Sequence, residues 1–286
     1  IEAIRITFAI IAAIGGALCL IPGYGLKEPP LETTTSQKKP AETKQPLLPA
    51  MRKVFKNRDF RVFLIANTLY TMATYIFETG LIYYITVLAL YKASAQGPLT
   101  TVIGAITLLS YPFVNRFSKR IGKKKVLNVG FLLFALMFMA ISILGVSFIP
   151  VWLAMGLVIL FAPLPQSMFG VIPNAITADC AAWDFEMSGA DSAAMYFAVN
   201  GFVHKIGATL STLLFTSFLL LGKDVGNDLG IRVAAVVGGG LSVFGLLIMS
   251  RYDEVNILKY INTTNASESP KNDRSFQEND THTVSS

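Results

Sequence analysis

The sequence predicts an all-α polytopic membrane protein, and two observations carry this prediction. Of the 286 residues, 53% are hydrophobic and only 15% are charged, whereas about 25% are charged in an ordinary soluble domain. Windows without any charged residue cover residues 6–26, 93–115, 126–178 and 233–250, and about 20 apolar residues cross the hydrocarbon layer as a helix. These windows do not alternate between apolar and polar residues, which argues against a transmembrane barrel.

Seven membrane-spanning helices are predicted, at residues 4–22, 60–91, 97–115, 126–147, 150–173, 193–222 and 231–250. The first is not expected to be a signal peptide, because the span is long and no basic region precedes a small-residue cleavage site. Since Ile1 is not an initiator methionine, we expect this span to be an internal helix of a longer protein.

The long window 126–178 must hold two helices. Residues 147–150 supply the break between them, because Pro150 suits the start of a helix. The second of these spans contains Pro163, Pro165 and Pro173. These prolines predict a helix that is broken within the membrane, as in many transporter sites, and a simple proline kink is the alternative.

The basic residues predict which side of the membrane each loop occupies. Of the 24 lysines and arginines, 19 lie on one side, in residues 23–58, at Arg61, in residues 116–125 and after residue 250, and four lie on the other. Cytoplasmic loops carry this excess. We therefore place loops 23–58 and 116–125 and the polar, disordered tail 252–286 in the cytoplasm of a protein of the cell membrane. Basic residues confined to short loops do not predict a nucleic-acid partner.

Two ionisable residues, Glu78 and Lys205, fall near the middle of predicted spans. Insertion scales put the cost of a charge there at roughly 2.5–3.5 kcal/mol, so neither side chain is expected to be idle packing. Asn67, Thr71 and Thr74 share a helix face with Glu78, because their spacings of three and four residues return to the same side of a helix. This polar stripe predicts a face turned toward a cavity or another helix.

Further polar residues extend the predicted pathway for a substrate or a cation. Thr209 lies one turn beyond Lys205, Asn200 lies on a second face of the same helix, and Gln166 lies among the prolines of the predicted span 150–173. The alternative for the threonines and asparagines is hydrogen bonding between helices, which is common in membranes. The alternative for Glu78 and Lys205 is a structural ion pair with each other.

No enzyme motif is present in the sequence. It lacks HExxH, GxSxG, a Walker lysine and a GxGxxG after a strand, and two histidines and two cysteines cannot assemble a zinc cluster. We therefore expect no enzyme activity and no cofactor. The remaining expectation is the passage of a polar substance through a helical bundle in the lipid bilayer.

Two segments carry a resemblance to a known family. The stretch ADCAAWDFEMSGADSAAMYFAVNGFVHKIGA, residues 178–208, resembles the acidic loop and eleventh helix of the glycoside/pentoside/hexuronide:cation symporters, the melibiose-permease-like branch of the major facilitator superfamily. The stretch PFVNRFSKRIGKKKVLNVG, residues 112–130, is similar to the family's basic loop between the eighth and ninth helices, and NRDF at Asn57 to the start of its seventh.

The resemblance implies a domain organisation. Residues 1–22 would be the last helix of an N-terminal half, 23–58 the central cytoplasmic loop, 59–251 the C-terminal six-helix bundle and 252–286 the tail. About five helices of a full major facilitator bundle are then missing, and the missing N-terminal half is an expected partner. In the family, that half holds the cation-binding acids and most sugar contacts.

The resemblance also implies roles for particular residues. Lys205 matches the family's eleventh-helix lysine, which faces the central cavity. Glu78 departs from the sugar symporters and looks more like the glutamate of sodium-dependent lysolipid transporters. Residues of the two cytoplasmic loops are expected to act in conformational change: Asp179, Asp184 and Glu186 of the acidic loop, and Arg116, Arg120 and Lys123 of the basic loop.

Three functions are compatible with these patterns. The preferred one is symport of a sugar or glycoside with sodium ions or protons by alternating access. A sodium-dependent carrier of a lysolipid or another amphiphile uses the same machinery. The third is a membrane receptor or scaffold, in which the buried charges would be structural and no cation gradient would matter.

Overall fold

A computed structural model describes residues 2–25, 47–144, 150–189 and 191–254. The α-helices in these ranges are α1 (Glu2–Gly25), α2 (Leu47–Val54), α3 (Arg58–Tyr83), α4 (Gln96–Ile121), α5 (Lys123–Ser142), α6 (Val151–Phe161), α7 (Pro163–Ser188), α8 (Ala193–Leu219) and α9 (Leu229–Met249). A π-helical turn, Tyr84–Leu88, extends α3, and a 3₁₀ turn, Ala93–Ala95, precedes α4. No β-strand occurs in the described part of the chain.

Six of the helical segments are long and apolar enough to cross a membrane: Arg58–Leu88, Ala93–Ile121, Lys123–Ser142, Val151–Ser188, Ala193–Leu219 and Leu229–Met249. These six segments confirm the predicted all-α polytopic membrane fold. The chain divides into two units, residues 1–44 with α1 and residues 45–286 with the other helices. In the first unit, the predicted span 4–22 falls within α1, whose apolar stretch is the shorter Arg5–Leu20.

The prediction that residues 116–125 form a loop is wrong. Helix α4 continues to Ile121 and carries Arg116 and Arg120, and α5 starts at Lys123. Only Gly122 separates the two helices, and its φ of 94° lies in a region that favours glycine. The basic residues mark where the chain leaves the apolar layer, which is not where the helix ends.

The acidic loop that was predicted to follow span 150–173 is also helical for most of its length. Helix α7 continues through Asp179, Asp184 and Glu186 to Ser188. It ends at Gly189, which adopts the left-handed conformation with φ of 65° and is a common helix terminator. No residue between Pro173 and Gly189 interrupts the helix, so it extends well past the predicted end at residue 173.

The proline-rich span contains a kink rather than an unwound segment. Helix α6 ends at Phe161 and α7 begins at Pro163, with Ala162 between them in the right-handed helical conformation (φ −75°, ψ −44°). The Ala162 amide still donates to the Val158 carbonyl at 2.9 Å. A proline lacks the N–H and crowds the preceding turn, which bends the helix at Pro163, whereas Pro173 lies inside α7 without ending it.

The predicted cytoplasmic loop 23–58 is partly helical, because α2 occupies Leu47–Val54. Residues 26–46 of that loop lie outside the described residues, as does the predicted tail beyond Glu254. Helix α5 ends earlier than predicted, at Ser142, and Pro150 precedes the first residue of α6 as predicted.

Within the second unit, α3 packs mainly against α8 and α9, α5 against α9 and α7, and α4 against α7. Small residues allow the close helix pairs, as is common in membranes. Gly238 and Gly245 of α9 face the rings of Phe138 and Phe131 on α5, and any side chain there would overlap those rings. These contacts fix the rotation of α9 against α5.

Candidate functional site

The polar stripe of α3 begins in the protein interior. Asn67 and Asn200 are both buried, and the Asn67 side-chain amide donates a hydrogen bond of 3.1 Å to Asn200 Oδ1 on α8. The buried Thr71 hydroxyl donates to the Asn67 carbonyl of its own helix at 2.9 Å. Ser211 of α8 donates to the Met72 carbonyl of α3 at 2.6 Å. This half of the stripe therefore joins α3 to α8.

The other end of the stripe opens to a cavity. Thr74 is half-buried, and Glu78, one turn further, is exposed at a cavity of about 220 Å³ between α3, α4 and α7. Gln166, the half-buried amide of the kinked span, lines the same cavity. The structure thus brings together Glu78 and Gln166, which lie in different predicted spans. Gln96 and Thr100 of α4 complete the polar lining, and Phe77 and Ile103 are among its apolar walls.

Lys205 lies near the middle of α8 and is exposed. In the described part of the chain, its ammonium group has no ion-pair or hydrogen-bond partner. Thr209, Thr212 and Thr216 continue along the helix, and all three are exposed. Their hydroxyls donate to carbonyls of α8 itself at 2.8–3.0 Å, which leaves the hydroxyl oxygens open as acceptors.

Glu78 and Lys205 do not form an ion pair with each other. Both side chains are exposed on the second unit, one on α3 and one on α8. The structural ion pair that the sequence allowed as an alternative is therefore not present. The two charges therefore lie at separate positions on the second unit.

A second group of polar contacts lies at the end of the unit formed by the start of α3, the α4–α5 turn, the α7–α8 turn and the end of α9, which we call the basic end. Lys123 Nζ of α5 contacts Asp179 Oδ2 of α7 at 2.5 Å. Lys53 Nζ of α2 lies 3.2 Å from Asp184 Oδ2 and donates to Ser188 Oγ at 2.9 Å. These contacts join α5 to α7 and α2 to α7.

The segment after α9 also belongs to the basic end. Glu254 accepts hydrogen bonds from the backbone amides of Lys123 at 2.6 Å and Lys124 at 3.0 Å, so its carboxylate satisfies amides at the start of α5 that have no partner within the helix. Tyr252 is buried beside Cys180, and burial raises the pKa of its hydroxyl above the ordinary value.

Three of the predicted loop residues take no part in this network. Arg116, Arg120 and Glu186 are exposed and form no ion pair among the described residues. The structure therefore divides the predicted conformational residues into a contacting set of Asp179, Asp184 and Lys123 and an exposed set.

Sequence reasoning missed several residues of these two groups. Gln96 and Thr100 carried a readable signal, because they are four residues apart and lie on one face of α4 with Thr107, which is buried. Lys53 and Glu254 carried none, since each contacts a helix more than a hundred residues away in sequence.

Comparison with known proteins gives one result for nearly the whole described chain. A family model described as MFS/sugar transport protein matches residues 2–252. No curated protein and no solved structure matches the chain.

Proposed function

This chain belongs to the MFS/sugar transport protein family, which makes it a membrane transporter, and on that premise we propose that it performs cation-coupled symport of a sugar or glycoside. The coupling ion is Na⁺ or a proton, and the transporter works in the cell membrane with the basic end in the cytoplasm. Transporters of this family are generally not enzymes. The transport mechanism is alternating access, in which two bundles move against each other around a central site.

One observation carries the proposal: Lys205 is an exposed and unpartnered cation within an apolar span of the described bundle. A charge at membrane depth is costly unless it faces water, a ligand or another helix bundle. The three exposed threonine hydroxyls along the same helix supply acceptors of the kind that a sugar needs. We therefore assign this face of α8 to the substrate pathway.

A second bundle is part of the proposal. The exposed polar face of α8 and the cavity at Glu78 need a wall of protein or water opposite them, because lipid cannot solvate a charge. A preceding bundle, corresponding to the N-terminal half implied by the resemblance, would supply that wall. The Lys123–Asp179 and Lys53–Asp184 contacts at the basic end join helices of the same unit, so they would hold that bundle together as it moves against the other.

A lysolipid or another amphiphile is the second candidate substrate. Glu78 favours it, because we do not expect a carboxylate at this position in the sugar symporters. The acidic and basic segments that resemble the sugar symporters favour a sugar. The two classes differ in the size of the apolar part that the transporter must accommodate.

The decisive experiment is gradient-driven uptake by the intact transporter, meaning this chain together with its preceding bundle, in proteoliposomes. A panel of labelled glycosides and lysophospholipids is offered with an inward sodium gradient, an inward proton gradient and neither. Uptake of a glycoside with one gradient supports the proposal. Uptake of lysophospholipid alone selects the second candidate, and gradient-independent binding without uptake of either class selects a receptor or scaffold.

A further inference from the structure

One face of α4 carries a stripe of exposed side chains that changes from apolar to basic toward the basic end. Its members follow one another at alternating spacings of four and three residues, which keeps them on one side of a helix. They are Val102, Ile106, Leu109, Phe113, Arg116 and Arg120, and we call this set the α4 stripe. Leu109 is 69% exposed and Phe113 is 70% exposed, so no described residue covers this face.

The composition of the α4 stripe matches lipid rather than a second helix bundle. The exposed positions beside it on α4 carry small residues, among them Thr101, Gly104 and Ala105, and small residues let another helix approach closely. The apolar part of the stripe instead presents larger side chains without any hydrogen-bonding group. Acyl chains fit such a surface, because lipid tails are as apolar as leucine. The second bundle therefore fits the small residues, and lipid fits the stripe.

The two arginines end the stripe at the depth of the lipid headgroups. The segment Ala93–Ile121 has 29 residues, and about 20 residues cross the hydrocarbon layer. Its last turns, which carry Arg116 and Arg120, therefore reach the headgroup layer. Phe113 lies one turn before Arg116, toward the hydrocarbon. A guanidinium group offers N–H donors in a planar arrangement that matches a phosphate.

The positive charge of the stripe is not neutralised within the described structure. Residues 79–178 contain no acidic residue. Asp179 and Glu254 both bind the first turn of α5. The side chains of Arg116 and Arg120 have no ion-pair or hydrogen-bond partner among the described residues. A group of basic residues at the end of a membrane helix attracts anionic lipid headgroups.

We propose that the α4 stripe binds an anionic phospholipid, with the headgroup phosphate at Arg116 and Arg120 and an acyl chain along Leu109 and Phe113. A zwitterionic phospholipid offers the same acyl chains and phosphate, but its headgroup also carries a cation and so compensates less of this charge. The lipid comes from the leaflet at the basic end. Its binding does not depend on the transport proposed above.

The proposal is tested by quenching of tryptophan fluorescence with lipids that carry bromine on their acyl chains. The intact transporter is reconstituted with Phe113→Trp as its single tryptophan, so that Trp152→Phe and Trp183→Phe are included. Brominated phosphatidylglycerol and phosphatidylcholine should both quench, and phosphatidylglycerol should bind about fivefold more tightly. Phe244→Trp is the matched control and should show no such preference, because Phe244 is exposed on α9 and at least seven residues from any charged residue.

Charge variants of the Phe113→Trp protein test the role of the two arginines. Arg116→Gln with Arg120→Gln should reduce the preference for phosphatidylglycerol to that of the control position. Arg52→Gln with Arg58→Gln removes the same net charge from exposed residues of α2 and α3 and should retain the preference. High salt should weaken the preference without any charge substitution, so the test remains decisive if a variant does not fold. A preference that is independent of salt would contradict the proposal.

Other results would also overturn the proposal. Absence of quenching by either lipid at Phe113→Trp would show that the preceding bundle covers the stripe. Equal binding of both lipids would show contact without selection of a headgroup. A preference that survives the Arg116 and Arg120 substitutions, or that the Arg52 and Arg58 substitutions remove equally, would reflect only net charge. Excess glycerol phosphate should not displace the lipid, because it has no acyl chains, and displacement would identify a site for a soluble phosphate instead.

Discussion

Asn67 of α3 and Asn200 of α8 form a hydrogen bond of 3.1 Å between two buried side-chain amides. Both residues were expected along the substrate or cation pathway, and the structure places them at the contact between two helices. The bond occupies the inner part of the polar stripe of α3. The part that remains open to a cavity begins further along, at Glu78.

Breaking this bond should destabilise the second unit. Asn67→Ala or Asn200→Ala leaves the other amide buried without its partner, which costs about 1–3 kcal/mol of unfolding free energy. The double variant should cost less than the sum of the single variants, by about 0.6–1.7 kcal/mol. Thermal or denaturant unfolding in detergent measures the three values. Thr212→Ala, whose exposed hydroxyl bonds only within α8, should change stability little, and strictly additive losses would contradict the coupling.

Lys205→Ala and Glu78→Gln should each reduce gradient-driven uptake by the intact transporter about tenfold or more, while the protein still inserts and folds. The reason is that both charges are exposed and unpaired with each other in the described unit. The double variant should remain inactive. Because the two charges are not paired with each other, removing the second does not compensate for the loss of the first. Recovery of uptake in the double variant would instead identify a structural ion pair.

Lys123→Met should lower the unfolding free energy by about 1–2 kcal/mol, because it leaves the half-buried Asp179 carboxylate without its partner. Replacing both residues, by Lys123→Met with Asp179→Leu, should recover part of this loss. The measurement is thermal unfolding in detergent. Arg120→Met provides the control, since Arg120 is exposed and forms no ion pair among the described residues. An equal loss of unfolding free energy in Arg120→Met would show that Lys123 contributes only through the net charge of the protein and not through its contact with Asp179.

Glu254→Gln should destabilise the start of α5 by about 1 kcal/mol, because the carboxylate accepts from the amides of Lys123 and Lys124 and a negative charge there also complements the helix dipole. Hydrogen exchange of the first turn of α5 should be faster in the variant. Glu186→Gln removes an equally charged but exposed side chain on α7 and should leave that exchange unchanged. Equal protection of these amides from exchange in both variants would show that the Glu254 carboxylate does not cap α5.

The orientation is tested at the end of the chain. A single cysteine at Ser285→Cys, with Cys19 and Cys180 replaced, should resist impermeant thiol reagents in intact cells, because the excess of basic residues predicts a cytoplasmic tail. It should react once the membrane is permeabilised. Rapid labelling in intact cells, or glycosylation at Asn262, would place the tail outside.

The sequence alone determined the fold class and the approximate position of the spans. Hydropathy is a property of each segment against lipid, and a helix satisfies its own backbone hydrogen bonds, so no tertiary contact is needed to predict that it crosses a membrane. The helix ends were predicted less well. The charges near Arg116 and Asp179 mark the edge of the apolar layer, whereas Gly122 and Gly189 end the helices.

Only the tertiary structure decided which polar side chains meet. The spacing of Asn67, Thr71 and Glu78 defines a face of α3, but the sequence does not state how far that helix is rotated toward its neighbours. Packing of α3 against α8 buries the asparagine end of the face, and the approach of α4 and α7 leaves a cavity at the glutamate end. Contacts such as Glu254 with the start of α5 join residues far apart in the chain. They depend on the relative depth and rotation of whole helices, which the local pattern of any one helix does not specify.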